Sequence, residues 1–467
     1  MDKAALDAAY AAAARFLSGV ADRPVGAKLD AAALRATLGG PLPESGEAAA
    51  QVVERLARDA EPGIVATAGP RFFGFVVGGS VPAAVGADWL TTAWDQNAGL
   101  FVLSPAASVV EEIVLEWLTG LLGLPPGTGM GFVTGGQMAN TTCLAAARQS
   151  VLARAGWDVA ARGLIGAPEV AVLAGDEAHI TVYGALRLLG LGDASVVKVA
   201  SDAQGRMQPD ALRDGLRSQR GKALIICAQA GNVNTGAFDP LPEVTRLARE
   251  HGAWVHVDGA FGLWAAANPA TRHLVASVEQ ADSWATDAHK WLNVPYDSGL
   301  AFVRDTAAHR AAMARAASYL QPSDANRDNY EWTPEFSRRA RGFAIYAALR
   351  SLGRSGLADL IGRSCEHARL FARILSAAPG VRVVNEVVLN QVLVRFEPPS
   401  ATAEGGDAWT REVIARVQRD GTCWLSGTVW RGRALMRISV CNWSTTGDDV
   451  QRSAAAILAA HRSRSRD

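Results

Sequence analysis

ADSWATDAHKWLNVPYDSGLAFV (281–303), with HVDGAFG (256–262) upstream of it, is the part of the chain from which the rest can be read. In the first run Lys290 follows the strand-like SWAT (283–286) and stands between His289 and Trp291, surroundings in which an amine is desolvated and nucleophilic. In the second, Asp258 closes AWVHVD (253–258), a run so apolar that a buried carboxylate there needs a partner. Each residue also has a plainer reading: a turn cap for Asp before Gly, and a snorkelling surface side chain for Lys.

Taken together the two residues meet the demands of pyridoxal phosphate. A lysine amine holds that cofactor as a Schiff base, and an aspartate at the pyridine nitrogen keeps it protonated, so that the ring accepts electrons. Small Ala260 after Asp258 leaves room for a flat ring.

Working outward, short apolar runs alternate with amphipathic helical segments from about Gly129 to Arg304. The strand-like runs are GFVT (131–134), VAVLAG (170–175), SVVKVA (195–200), ALIICAQA (223–230), AWVHVD, SWAT and LAFV (300–303). Such alternation predicts an α/β domain with a mostly parallel sheet, helices on both faces, and ligands beyond the carboxyl ends of the strands. The polar residues of interest fall at those ends. Gly135-Gly136-Gln137 follows GFVT and opens a helix near Gln137, where free N–H groups and the helix dipole attract phosphate, although Gly-Gly turns are also ordinary punctuation. His179 in GDEAHITVYG follows VAVLAG, placed to stack on an aromatic cofactor or simply to cap a helix.

Residues 1–65 read as helices around a Pro-rich break, too small for a core of their own. The expected division is therefore an N-terminal helical segment (1–65), a cofactor-binding large domain (66–320), and a loop with a small α+β C-terminal domain (321–467). In the last part VRVVNEV, QVLVRFE, TCWLSGTVW and LMRISVC read as strands and TREVIARVQRD as a helix. SYLQPSDANRDNYEWTPE (318–335) reads as a long loop of the kind that is often functional or mobile.

Composition narrows the partners. The 467 residues are 49% apolar, and 46 Lys plus Arg balance 46 Asp plus Glu, which argues for small-molecule ligands and against nucleic acid or an anionic membrane. Five scattered cysteines outside any CxxC spacing argue against a disulfide framework and a zinc site. The acidic, amphipathic start is unlike a secretory signal, and no run approaches the roughly 20 apolar residues of a membrane span, so the expected compartment is the cytoplasm.

With these motifs in place, the chain resembles the pyridoxal-phosphate-dependent group II amino-acid decarboxylases, which include aromatic L-amino-acid decarboxylase and glutamate decarboxylase. The resemblance rests on GPRFFGF, LSPAASVVEEIVLEWL, TGGQMAN, the DEAH tetrad ending at His179, AQAGNVNTGAFDPL, HVDGAFG, DAHKW and RISVCNW. It implies an aspartate-aminotransferase-like fold (fold type I) and a homodimer with active sites at the interface. It also implies that Lys290 links the cofactor, Asp258 pairs with the pyridine nitrogen and His179 stacks on the ring. Gly136, Gln137 and His289 would surround the phosphate, Ala260 would lie beside the ring, and Tyr319 matches a loop tyrosine that protonates the substrate α-carbon. The chain departs from the pattern at Gly136-Gln137, where Ser or Thr is common, at Val233 in place of Thr, and at Asp287 in place of Asn; Asn232 or Asn234 then takes a polar role near the cofactor.

The expected activity is decarboxylation of an L-amino acid to its amine. The alternatives are an oxidative, aldehyde-forming deaminase or an aminotransferase on the same scaffold, and, further off, a non-catalytic binding protein. Phe75, Trp94 and Phe101 lie in regions that line the substrate pocket in the family, and Gly78 and Gly79 would widen it.

Overall fold

The computed structural model describes residues 3–315, 326–398 and 405–463. The chain divides into two compact units: residues 78–368 with 385–391, and residues 1–77, 369–384 and 392–467. Among the described residues no helix is long and apolar enough to cross a membrane.

The larger unit is built on a seven-stranded sheet. Its strands are β1 (Gly129–Val133), β2 (Val170–Gly175), β3 (Val196–Val199), β4 (Ala223–Gln229), β5 (Trp254–Asp258), β6 (Ser283–Asp287) and β7 (Gly299–Val303), in the order β1-β7-β6-β5-β4-β2-β3. All neighbours from β6 to β3 are parallel, whereas β7 runs against both β6 and β1. Six strands therefore end at one edge of the sheet, and only β7 begins there. β4 and β5 read as mostly apolar runs because a strand covered on both faces has no solvent side to make polar, the exceptions being His256 and the strand ends Gln229 and Asp258.

Register aligns the ends that matter. Gln229 lies opposite Asp258, Asp258 opposite Ala285, and Asp287 opposite Gly299, which in turn faces Val133. Gly299 has no room for a side chain, since a β-carbon there would lie 2.5 Å from the Gly135 α-carbon. The helix Gly136–Arg154 crosses behind this edge with Ala139, Asn140, Cys143 and Leu144 buried, and its Cys143 thiol meets the carbonyls of Trp284 and Phe302 at 3.4 and 3.5 Å.

Within the segment expected as a long loop, residues 316–325 lie outside the described part, while the remainder is anchored. Arg327 lies over the Trp332 ring at 4.3 Å and bonds the Met130 carbonyl; fully buried Asn329 donates to Ala98 O at 3.1 Å. Nearby, Arg338 makes a bidentate pair with Glu111, both contacts 2.7 Å and both side chains about 1% exposed.

The smaller unit carries a four-stranded sheet of β8 (Val381–Val383), β9 (Gln391–Phe396), β10 (Ser426–Trp430) and β11 (Arg433–Ser439), in the order β10-β11-β9-β8. The helices Gly405–Asp420 and Gly447–Arg462 accompany it, the second started by a Thr446–Asp449 capping box. TCWLSGTVW forms a strand only from Ser426. Its first residues pair instead with 71–73, where Trp424 N donates to Arg71 O at 3.1 Å and the Trp424 ring stacks on Phe72 at 5.1 Å.

Candidate active site

Four of the six strand ends deliver the polar residues singled out by the sequence. β1 leads through Gly135 into the helix at Gly136, β2 leads through DEAH to His179, β5 ends on Asp258, and β6 ends on Asp287, three residues before Lys290.

Lys290 Nζ lies 2.9 Å from Asp287 Oδ2, and Asp287 is 2% exposed. Its second oxygen, Oδ1, is buried without a hydrogen-bond partner, His289 Nε2 approaching only to 3.5 Å. Ser298 N donates to His289 Nδ1 at 3.1 Å, so the neutral ring carries its hydrogen on Nε2, on the Asp287 side. Burial holds the His289 pKa below the ordinary value even though the Asp287 charge opposes this, so the neutral ring prevails near pH 7. Tyr296 stacks on the other side, ring centroids 4.2 Å apart.

The chain passes close to this lysine elsewhere. A β-carbon on Gly78 would lie 1.7 Å from the Lys290 carbonyl oxygen, so this glycine is demanded by backbone contact, beyond any effect on pocket width.

Asp258, 5% exposed, accepts from Ala260 N and from Asn140 Nδ2, each at 3.2 Å. Asn140 also reaches Thr181 Oγ1 at 3.1 Å and His256 Nε2 at 2.9 Å. His179 is the N-cap of the helix Ile180–Leu188, with Nδ1 2.8 Å from Thr181 Oγ1. His256 is fully buried and pushed down to about 4 by loss of solvent, which makes it a neutral hydrogen-bonding group. Asn140, Thr181 and His256 escaped the sequence reading. The available signal was a polar residue inside an apolar helix or strand, which must find a partner once buried.

The remaining candidates are placed as follows. Gly136 opens its helix with no side-chain cap, and a β-carbon there would lie 2.9 Å from Asp287 Oδ2. Gln137 is exposed, its amide against Gly184. Ala260 accepts from Asp287 N at 2.9 Å. Asn232, 1% exposed, turns its carbonyl oxygen to the amides of Asn234 and Thr235 and its nitrogen to Glu177, beside His179 in DEAH. Tyr319 lies outside the described residues.

These residues suit pyridoxal phosphate. A lysine amine stands beside a carboxylate, a second buried carboxylate lies at a neighbouring strand end, and a helix N-terminus with a Gly-Gly approach opens without a side-chain cap. That is an amine to bind an aldehyde, an anion for a pyridinium and free N–H groups for a phosphate.

A mostly parallel sheet with its chemistry at the carboxyl edge and a lysine beyond β6 defines an enzyme of the pyridoxal-phosphate fold type I class. Residues 33–397 match the pyridoxal-dependent decarboxylase conserved domain, and the chain belongs to that family. It is a pyridoxal-phosphate-dependent amino-acid decarboxylase, a carboxy-lyase. It is 30% identical to tryptophan decarboxylase 1 of Oryza sativa subsp. japonica over 81% of this chain and 78% of the relative. It is 31% identical to L-2,4-diaminobutyrate decarboxylase of Rhizobium meliloti (strain 1021), over 89% and 83%. The crystal structure of Oryza sativa TDC with PLP and tryptamine superposes with a TM-score of 0.92 at 26% identity, covering 98% of this chain and 97% of the other.

Proposed function

We propose that the substrate is an aromatic L-amino acid, decarboxylated to its arylalkylamine in the cytoplasm by a homodimer. The tryptophan decarboxylase resemblance and the tryptamine in the similar crystal structure support the aromatic side chain. The half-exposed Trp94 indole, edge-on to Phe343 at 5.2 Å, supplies an apolar surface in the expected region. Exposed Trp89, Leu90, Val102, Leu103 and Val109 support a partner surface, and five free, buried cysteines suit a reducing compartment. Residues 1–65 would wrap the partner, 66–320 would hold the cofactor, and 321–467 would supply the loop and small domain.

The observation that carries the reading is Lys290 held at 2.9 Å by a buried carboxylate at the strand edge that also ends in Asp258. When bound, pyridoxal 5′-phosphate supplies the electron sink for the pair left on Cα as carbon dioxide departs. Lys290 Nζ would hold the cofactor through its aldehyde carbon, and Asp287, 2.9 Å away, would pair with the lysine cation whenever the amine is free. Asp258 would keep the pyridine nitrogen protonated by accepting its hydrogen. His179 would cover one face of the ring, Ala260 would lie beside it, and Gly136, Gln137 and His289 would hold the phosphate, His289 with its Nε2 hydrogen. Asn232 acts through its own turn and Glu177. Tyr319 delivers the proton to Cα.

Mass spectrometry of products from an amino-acid panel, with and without dioxygen, tests the reading. The expected result is an arylalkylamine formed independently of oxygen. A preference for diaminobutyrate would overturn the aromatic assignment, and an aldehyde or keto acid would overturn simple decarboxylation.

A further inference from the structure

Asn140 has no exposed surface, and its side-chain amide meets three polar neighbours: Asp258 Oδ2, Thr181 Oγ1 and His256 Nε2. A carboxylate offers only acceptors, so the amide nitrogen must face Asp258 and Thr181, and the amide oxygen must face His256. His256 then carries its hydrogen on Nε2 and accepts at Nδ1 from Ser283 Oγ, 3.0 Å away, which itself accepts from Trp254 Nε1 at 2.9 Å. Thr181, having accepted from Asn140, donates its hydroxyl hydrogen to His179 Nδ1 beside its own backbone N–H at 3.4 Å, and the two donors leave the His179 hydrogen on Nε2. One donor direction satisfies the whole chain from Trp254 to its two endpoints, Asp258 and His179. Reversing the Asn140 amide would set its oxygen against a carboxylate and its nitrogen against the His256 N–H.

We propose that Asn140 is a positioning residue that ties Asp258 to His179, and that His256 holds its amide in the one orientation that serves both. This rests on the reading of Asp258 and His179 as the pyridine-nitrogen partner and the ring-stacking residue. The donor to Asp258 aims the carboxylate, and the hydroxyl donor to His179 Nδ1 reinforces the tautomer that the Thr181 backbone N–H also favours, so the two cofactor contacts are set together. Neutral His256 adds no competing charge. The other titratable groups that feel Asp258, Cys143 and Cys227, are held as neutral thiols by complete burial, which pushes both pKa values up.

The test compares His256→Leu with His256→Gln, whose amide still donates to Asn140, and Thr181→Val with Thr181→Ser, all in the full chain. Three quantities are read: the cofactor dissociation constant, the visible absorption of the bound cofactor against pH, and thermal unfolding of the cofactor-free protein. His256→Leu should weaken cofactor binding about tenfold or more, because Asn140, released from His256, no longer holds its amide donor toward the Asp258 carboxylate, while His256→Gln recovers most of it. Thr181→Val, at a less buried site, should shift the pH midpoint of the absorption, and Thr181→Ser should restore it. Should His256→Leu fail to fold, the Thr181 pair alone decides. Equal affinity and equal spectra within each pair, whatever happens to thermal stability, would overturn the proposal. Lys290→Ala is run alongside: if it retains the absorption of the linked cofactor, the reading of the site itself fails, independently of Asn140.

Discussion

Asp287 grips Lys290 Nζ at 2.9 Å with one carboxylate oxygen while its other oxygen, equally buried, has no hydrogen-bond partner. The carboxylate therefore serves the lysine and, lying 2.9 Å from where a Gly136 β-carbon would be, burdens the helix N-terminus expected to receive phosphate. Asp287→Asn separates the two effects. Losing a charge-assisted bond should lower kcat/KM by about tenfold, whereas removing a negative charge beside an anion site should leave cofactor affinity unchanged or tighter. Steady-state kinetics and cofactor titration of the same preparation check both signs.

Gly78→Ala places a methyl group 1.7 Å from the Lys290 carbonyl oxygen, and backbone on both sides must move. The expected cost is at least the roughly 1–3 kcal/mol of an overpacked site, with activity lost beyond what stability explains because the displaced segment carries the lysine. Chemical denaturation beside kcat measured well below the unfolding transition distinguishes this from simple pocket narrowing, which would raise KM alone.

Tyr319→Phe keeps the ring and removes the proposed proton donor. With Cα unprotonated and dioxygen present, turnover should pass from amine to aldehyde, and the product ratio under air against argon reports it. An unchanged amine yield would remove Tyr319 from the mechanism.

Acidification should act on stability through buried groups of opposite sense. His256 and His309 are pushed down to about 4 and about 3 by burial, so below pH 6.5 the unfolded chain binds more protons and stability falls as pH drops toward those values. Asp239, pushed up to about 6 by burial despite accepting from Met207 N and Gln229 N, binds its proton earlier when folded, so acidification from pH 6 toward 4 favours the native state. Over its full window each is worth on the order of 3 kcal/mol, His309, with the widest window, about 5. Unfolding midpoints of the cofactor-free protein between pH 7 and 4 should decline, more steeply in Asp239→Asn and less steeply in His256→Gln.

Much of the sheet was legible because buried parallel strands announce themselves as short apolar runs: ALIICAQA became Ala223–Gln229 and AWVHVD became Trp254–Asp258. The reversed direction of β7 was not, since LAFV pairs equally well either way and only the sheet decides. Lys290, Asp258 and His179 were singled out by their expected places at strand ends, and the structure puts Asp258 at the end of β5 and Lys290 and His179 beyond β6 and β2. Asn140 and His256 were overlooked for the converse reason, that they lie inside elements where hydrophobic pattern dominates and their partners are distant in sequence. TCWLSGTVW misled because its two halves have different neighbours, Arg71 to Phe73 for one and β11 for the other.

The reversal of β7 gives the lysine segment an unusual kind of security. Residues 288–298 leave the sheet from β6 and return to it in the adjacent β7, and the excursion is tied at its base by Ala288 N and His289 N to Ser298 O at 3.0 and 3.2 Å. A residue removed or added between Trp291 and Asp297 has to be absorbed within the excursion, because sliding β7 by one position would turn its side chains to the opposite faces and break register with β1 as well as β6. The sheet edge thus keeps its register, and any change in the count of that excursion falls on the segment that presents the lysine.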